Sequence, residues 1–235
     1  MFTGPRKRFY KQAAAGPASG GGFAIFLDGR AVKTPQGANL DVPSEALAQA
    51  IATEWEAQED EIRPHTMPLM RLTCTAIDRL PQVRSEVIDQ LVQYAGTDLL
   101  CYRAEAPSDL VERQNETWNP LLDWLEATYG AGLKTTSGII AIPQDKEPLS
   151  NLRSAMEPLG NIELSALTAM TQASGSLVIG LAVLSGHLDA AQAFAASQVD
   201  ETYQMEKWGQ DHEALARQNK LREDLESATR LITLL

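Results

Sequence analysis

The sequence predicts an α+β fold in which a small β-rich N-terminal unit over residues 1–43 is followed by a larger, mainly α-helical domain over 44–235. Three observations carry this expectation. Short strand-like runs separated by turn signals cluster before Pro43, apolar residues recur at helical spacing after it, and strand and helix signals do not alternate along the chain. The missing alternation argues against a doubly wound parallel sheet.

Taken in order, the chain begins with a small basic stretch, Arg6, Lys7, Arg8 and Lys11, with no acidic residue beside it. AAGPASGGG at Ala14–Gly22 reads as ordinary loop sequence. FAIFL at 23–27 is strand-like, Asp28-Gly29 is a hairpin turn signal, AVKT follows, and NLDV after Pro35-Gln36-Gly37 is a third short strand. Ser44 is placed to cap a helix over 45–60, with Leu47, Ile51 and Trp55 on its apolar stripe and Glu54 close to it. Pro64 and Pro68 bracket a loop, and apolar spacing predicts helices over 69–79 and 82–95. LLCYR at 99–103 is short, aromatic and β-leaning, a candidate to return to the N-terminal sheet. Beyond Pro107 the pattern gives a helix over 108–128, a short extended pair around 133–142 and a helix over 149–159.

Leu164–Gly186 holds no charged residue and is long enough to cross a bilayer. Its centre carries Thr171, Gln172, Ser174, Gly175 and Ser176, and its uninterrupted apolar part, Leu177–Leu184, is too short to span. A buried central helix or helix pair is expected instead, with Gly175 and Gly180 allowing a neighbour to approach closely. The rest, from Asp189, is helical, and Gly209 is a candidate break after which Asp211 could cap a second helix.

With 235 residues and 44 % apolar content the chain can bury a sizeable core. A net charge of -11 and a pI near 4.8 argue against nucleic-acid binding and against attraction to anionic membranes. Cys74 and Cys101 are far apart, so neither a disulfide framework nor a metal spacing is read from them, and MFTGPRKRFY lacks the apolar core of a secretory signal. A reduced cytosolic chain is the expectation. No phosphate-binding G-x-x-x-x-G-K-[ST] loop and no G-x-S-x-G elbow occur, and His212-Glu213 lacks the second histidine of a zinc-protease helix. No catalytic set, cofactor site or metal site is therefore expected, and the chain is read as a binding protein and not an enzyme.

The stretch VDETYQMEKWGQDHEA at Val199–Ala214 draws the functional reading. Read as one helix, it puts Glu201, Gln204, Trp208 and Asp211 on a stripe shared with Phe194, Met205 and Leu215. A carboxylate on such a face needs a partner, either a cation within the chain or a group on another molecule. The acidic run Glu54, Glu56, Glu59, Asp60 and Glu61 reads as a solvated helix end or an electrostatic docking patch.

The same stretch, with LDGRAVKTP at Leu27–Pro35, EWEAQ at Glu54–Gln58 and TDLLCYR at Thr97–Arg103, resembles the alpha-subunit assembly chaperones of the F-type ATP synthase. RFY at Arg8–Tyr10, MPLMRL at Met67–Leu72, NPLLDW at Asn119–Trp124 and GSLVIGLA at Gly175–Ala182 follow in the family's order, so the resemblance covers nearly the whole chain. It implies a chaperone that holds the unassembled alpha subunit until the beta subunit replaces it, without nucleotide hydrolysis. The partner-binding residues expected are Glu201, Gln204, Trp208, Asp211 and Glu54. The bacterial cytoplasm is the expected compartment, or the mitochondrial matrix if a targeting peptide has been removed. The rival reading is a small-ligand binder or carboxylate-dependent enzyme with a cleft around Glu201. A deep pocket at Glu201 would favour the rival and an open surface the chaperone.

Overall fold

The computed structural model describes residues 6–138, 140, 142–209 and 212–235. The chain divides into two compact units, the first taking in residues up to Arg84 with Asn161–Ala166 and Arg230–Leu235, the second Ser85–Gly160 and Leu167–Thr229. Pro43 lies inside the first unit.

The first unit is built on short strands: β1 (Arg6–Lys7), β2 (Ala13–Pro17), β3 (Phe23–Leu27), β4 (Arg30–Ala31) and β5 (Asp41–Val42). The FAIFL strand is β3, the hub of the main sheet. It pairs antiparallel with β2 on one edge in the register Ala15↔Ile25, and with β4 and β5 along the other. Asp28 and Gly29 turn the β3–β4 hairpin with φ of 48° and 80°, the pair of positive values that suits the strands' twist. The sequence reading missed β2 because its small residues show no polar–apolar alternation. Packing accounts for its glycine: a Cβ on Gly16 would stand 3.2 Å from the Phe26 ring.

Ser44 accepts the Leu47 N–H at 3.1 Å and starts α1 (Glu45–Glu56), whose buried Leu47, Ile51 and Trp55 face the sheet unit's core. α1 packs on β2 and β3, covering the face that a lone sheet would expose. The helix stops at Glu56, short of the expected Asp60, and Glu61–Ile62 forms β6 against β1, with Lys7 opposite Glu61. The Arg8 guanidinium bonds the carbonyls of Glu56 (3.1 Å) and Gln58 at the end of α1 and the Glu56 carboxylate at 3.2 Å. The basic and acidic stretches are thus neighbours in space, with cations at a helix C-terminus where the helix dipole favours them. α2 (Pro68–Asp78) follows, then α3 (Leu80–Gly96), kinked at Val83.

In the second unit LLCYR does not return to the N-terminal sheet. Leu99–Cys101 forms a 3-10 turn whose Leu100 amide is capped by the Asp98 side chain, and β7 (Tyr102–Arg103) pairs in parallel with β8 (Thr136–Ser137). The Arg103 side chain fixes this geometry by donating to the carbonyls of Leu100 (2.9 Å) and Gln114 (3.1 Å). The helices are α4 (Ser108–Tyr129), α5 (Lys146–Met156), α6 (Asn161–Ser174), α7 (Leu177–Leu184), α8 (Ala190–Ser197), α9 (Val199–Trp208) and α10 (His212–Thr233). Residues of α3, α6 and α10 belong to both units.

The charge-free segment is the expected helix pair, α6 and α7, parted at Gly175 with φ of 71°. Leu177–Val183 are all buried, and a Cβ on Gly180 would lie 2.8 Å from Thr171 Oγ1 and 3.0 Å from Leu167 Cδ1. The start of α7 holds a fully buried carboxylate. Asp98 accepts from the Ser176 hydroxyl at 2.6 Å and from the amides of Leu100 and Val178, both at 3.1 Å. Burial pushes its pKa up to about 6, against the downward pull of those donors. Among the described residues no helix is long and apolar enough to cross a membrane. Cys74 and Cys101 are free and buried, and desolvation pushes both thiols up to about 12.

Candidate functional site

The stripe through Glu201 is not one continuous helical face. Gln198, with φ of -120° and ψ of 24°, interrupts the helix between α8 and α9, and Gly209, with φ of 90°, ends α9 after Trp208. Each break resets the helical phase, so Phe194 and Leu215 do not extend the α9 stripe. The face of α9 that is buried carries Val199 and Tyr203. Glu201 and Gln204 are exposed, and Trp208 is 78 % exposed. Among the described residues Glu201 makes no ion pair. Asp211 lies outside the described residues.

α9 is held against α4 by Tyr203 on its buried side and by a polar ladder flanking it, which the sequence does not show. Tyr203 donates its hydroxyl to Asp109 Oδ1 at 2.8 Å, and Lys207 Nζ stands 3.1 Å from Asp109 Oδ2. Arg113 pairs with Glu206 at 2.7 Å and lies 5.3 Å from the centre of the Tyr203 ring. The buried Gln114 side chain donates to Asp200 Oδ1 at 2.6 Å and accepts the Ala104 N–H at 2.8 Å. The Tyr203 and Lys207 bonds hold the Asp109 carboxyl below the usual range, while burial, reinforced by Asp109, raises Tyr203. The spacing Tyr203–Lys207, one helical turn, was visible in the sequence; its partner on α4 was not.

Glu54 belongs to the first unit and is half-buried. Its two carboxylate oxygens accept the Leu69 N–H at 2.8 Å and the Met70 N–H at 2.9 Å, the free amides of the first turn of α2. Burial raises its pKa against those two bonds and the charges of Arg230 and Arg71. Glu54 is thus a helix cap supplied from a distant helix, and any partner contact by it would have to give up these bonds. The other tryptophans serve packing: Trp55 and Trp118 are buried, with Trp118 Nε1 donating to Ala196 O at 2.8 Å, and Trp124 stacks on His187 at 4.8 Å. Among the described residues no cluster of His, Cys, Asp and Glu is arranged to hold a metal.

The family model described as ATP12 chaperone protein matches residues 7–126. The mitochondrial protein atp12 of Schizosaccharomyces pombe is 32 % identical over 216 residues, spanning 86 % of this chain and 74 % of that protein. The chain belongs to the ATP12 chaperone family. The ATP12 protein of Saccharomyces cerevisiae, also named as mitochondrial, is 26 % identical over 81 % of this chain and 72 % of its own length. The ATP12 fold is seen in the crystal structure of Atp12 from Paracoccus denitrificans, which superposes with a TM-score of 0.90 at 40 % identity, covering 97 % of each chain. The Atu1473 protein of Agrobacterium tumefaciens superposes with a TM-score of 0.92 at 35 % identity, covering 98 % of this chain and 86 % of that one. These likenesses agree with the α+β fold and with the family to which the ordered motifs point.

Proposed function

We propose that this ATP12-family chain is an assembly chaperone of the F-type ATP synthase, that it binds the unassembled alpha subunit, and that it prevents aggregation until the beta subunit takes its place. The observation that carries the site is the outer face of α9, where Glu201, Gln204 and Trp208 are all exposed on a helix that is anchored from its other side. An unassembled subunit displays an interface that aggregates unless it is covered, and a competing binder suppresses the wrong contacts. Trp208 supplies the aromatic anchor such contacts favour, and Glu201 supplies a charge for orientation. Asp211, the next acidic residue after the Gly209 break, is carried in the proposal by its sequence position.

The chain acts by binding alone and turns over no nucleotide. A carboxylate standing on an exposed helix face suits a macromolecular contact better than the enclosed cleft of the rival reading. We assign the protein to the bacterial cytoplasm because two bacterial proteins share 40 % and 35 % identity with nearly all of it. Light scattering during refolding of isolated alpha subunit tests the reading. Stoichiometric suppression without ATP consumption is expected, and no suppression at molar excess overturns it.

A further inference from the structure

α9 has ten residues, of which Val199 and Tyr203 are buried, so its apolar grip on the second unit is thin for a helix that presents a binding face. What fixes it is polar. As α4 advances from Asp109 through Arg113 to Gln114, its partners on α9 recede from Lys207 and Tyr203 through Glu206 to Asp200, so the two helices run antiparallel. That direction places Asp109 in the first turn of α4 against Lys207 in the last turn of α9. Each charge complements its own helix dipole as well as the other charge. The two oxygens of Asp109 are divided between residues one turn apart, 2.8 Å from Tyr203 Oη and 3.1 Å from Lys207 Nζ. Two contacts spaced along the axis oppose both rotation and sliding; a slip of one residue would turn Trp208 by about 100°.

We propose that Asp109 is a positioning residue for the partner contact, setting the rotation and height of α9 so that Glu201, Gln204 and Trp208 face outward together. This rests on the assignment of the α9 face as the contact surface. Asp109 touches no partner itself; it acts through Tyr203 and Lys207.

The test is a pair of isosteric variants in the full chain, Asp109→Asn and Asp123→Asn, the second making the same charge change at an exposed position of α4. Asp109→Asn is expected to speed amide exchange in residues 199–208 by roughly tenfold and to weaken binding of isolated alpha subunit by about threefold to tenfold, while Asp123→Asn matches the wild type in both. Lys207→Gln, which leaves the Tyr203–Asp109 bond in place, repeats the measurement without disturbing the buried ring and should shift both readouts in the same direction. Wild-type exchange in Asp109→Asn overturns the proposal, and so does faster exchange with unchanged binding. Glu201→Gln and Trp208→Ala, measured in the same binding assay, separate the two levels. If they weaken binding and Asp109→Asn does not, the positioning role alone fails; if they too bind as wild type, the α9 face is not the contact surface.

Discussion

Asp98 and Glu201 both sit near the starts of helices in the second unit, and their surroundings are opposite. Asp98 is buried at the head of α7 and accepts from a hydroxyl and two amides, while Glu201 stands exposed on α9 with no ion pair among the described residues. Glu54 lies between them, half-buried, with both oxygens on the amides of α2. The contrast separates carboxylates that build the fold from one available to another molecule. Charges taken out of water here are met mainly by backbone amides, which suit a carboxylate because a helix N-terminus offers donors already oriented.

Substitutions along this series should show a falling effect on stability. Asp98→Ala leaves two amides and the Ser176 hydroxyl without their acceptor and should cost about 3–5 kcal/mol in urea unfolding, a loss below about 1 kcal/mol refuting the role given to Asp98. The same residue gives a pH signature. Because burial raises its pKa to about 6, the folded state holds the proton more tightly than the unfolded chain does. The part of its contribution that depends on the bound proton is therefore full below about pH 4 and is lost as pH rises through about 6. The stability of the wild type relative to Asp98→Asn should accordingly fall between pH 4 and pH 7. Gly180→Ala, which drives a methyl group against Thr171 and Leu167, should cost about 1–3 kcal/mol by thermal or urea melting. Glu54→Gln replaces one acceptor facing the α2 amides with a donor and should cost about 1–2 kcal/mol, with the loss of helix protection confined to α2 in hydrogen exchange. Glu201→Gln should change stability by less than about 0.5 kcal/mol while weakening alpha-subunit binding. A clear loss of stability with binding intact would move Glu201 from the contact to the fold.

What the sequence made legible was local chemistry. Ser44 announced α1, Asp28-Gly29 announced its hairpin, and the charge-free segment read as a buried helix or helix pair, which Gly175 divides into α6 and α7. What stayed hidden depends on partners far along the chain. β2 carries no alternation, and the Phe26 ring that keeps Gly16 small comes from the neighbouring strand, while the pairing of Tyr102–Arg103 with Thr136–Ser137 has no signature in LLCYR. The stripe through Glu201 failed for a different reason: a helical phase survives only while the helix does, and Gln198 and Gly209 each restart it. The motif and its exposed members are legible in the sequence, but the ladder from α4 that orients them is a tertiary fact.

The two buried cysteines have a practical consequence. With both thiols raised to about 12 and buried, neither carries an appreciable thiolate population near neutral pH, so maleimides should leave both cysteines of the native chain unmodified. A cysteine substituted for Gln204 would then be the sole readily labelled position. A fluorophore there would sit on the α9 face itself, giving a direct optical report of what arrives, how quickly, and what displaces it.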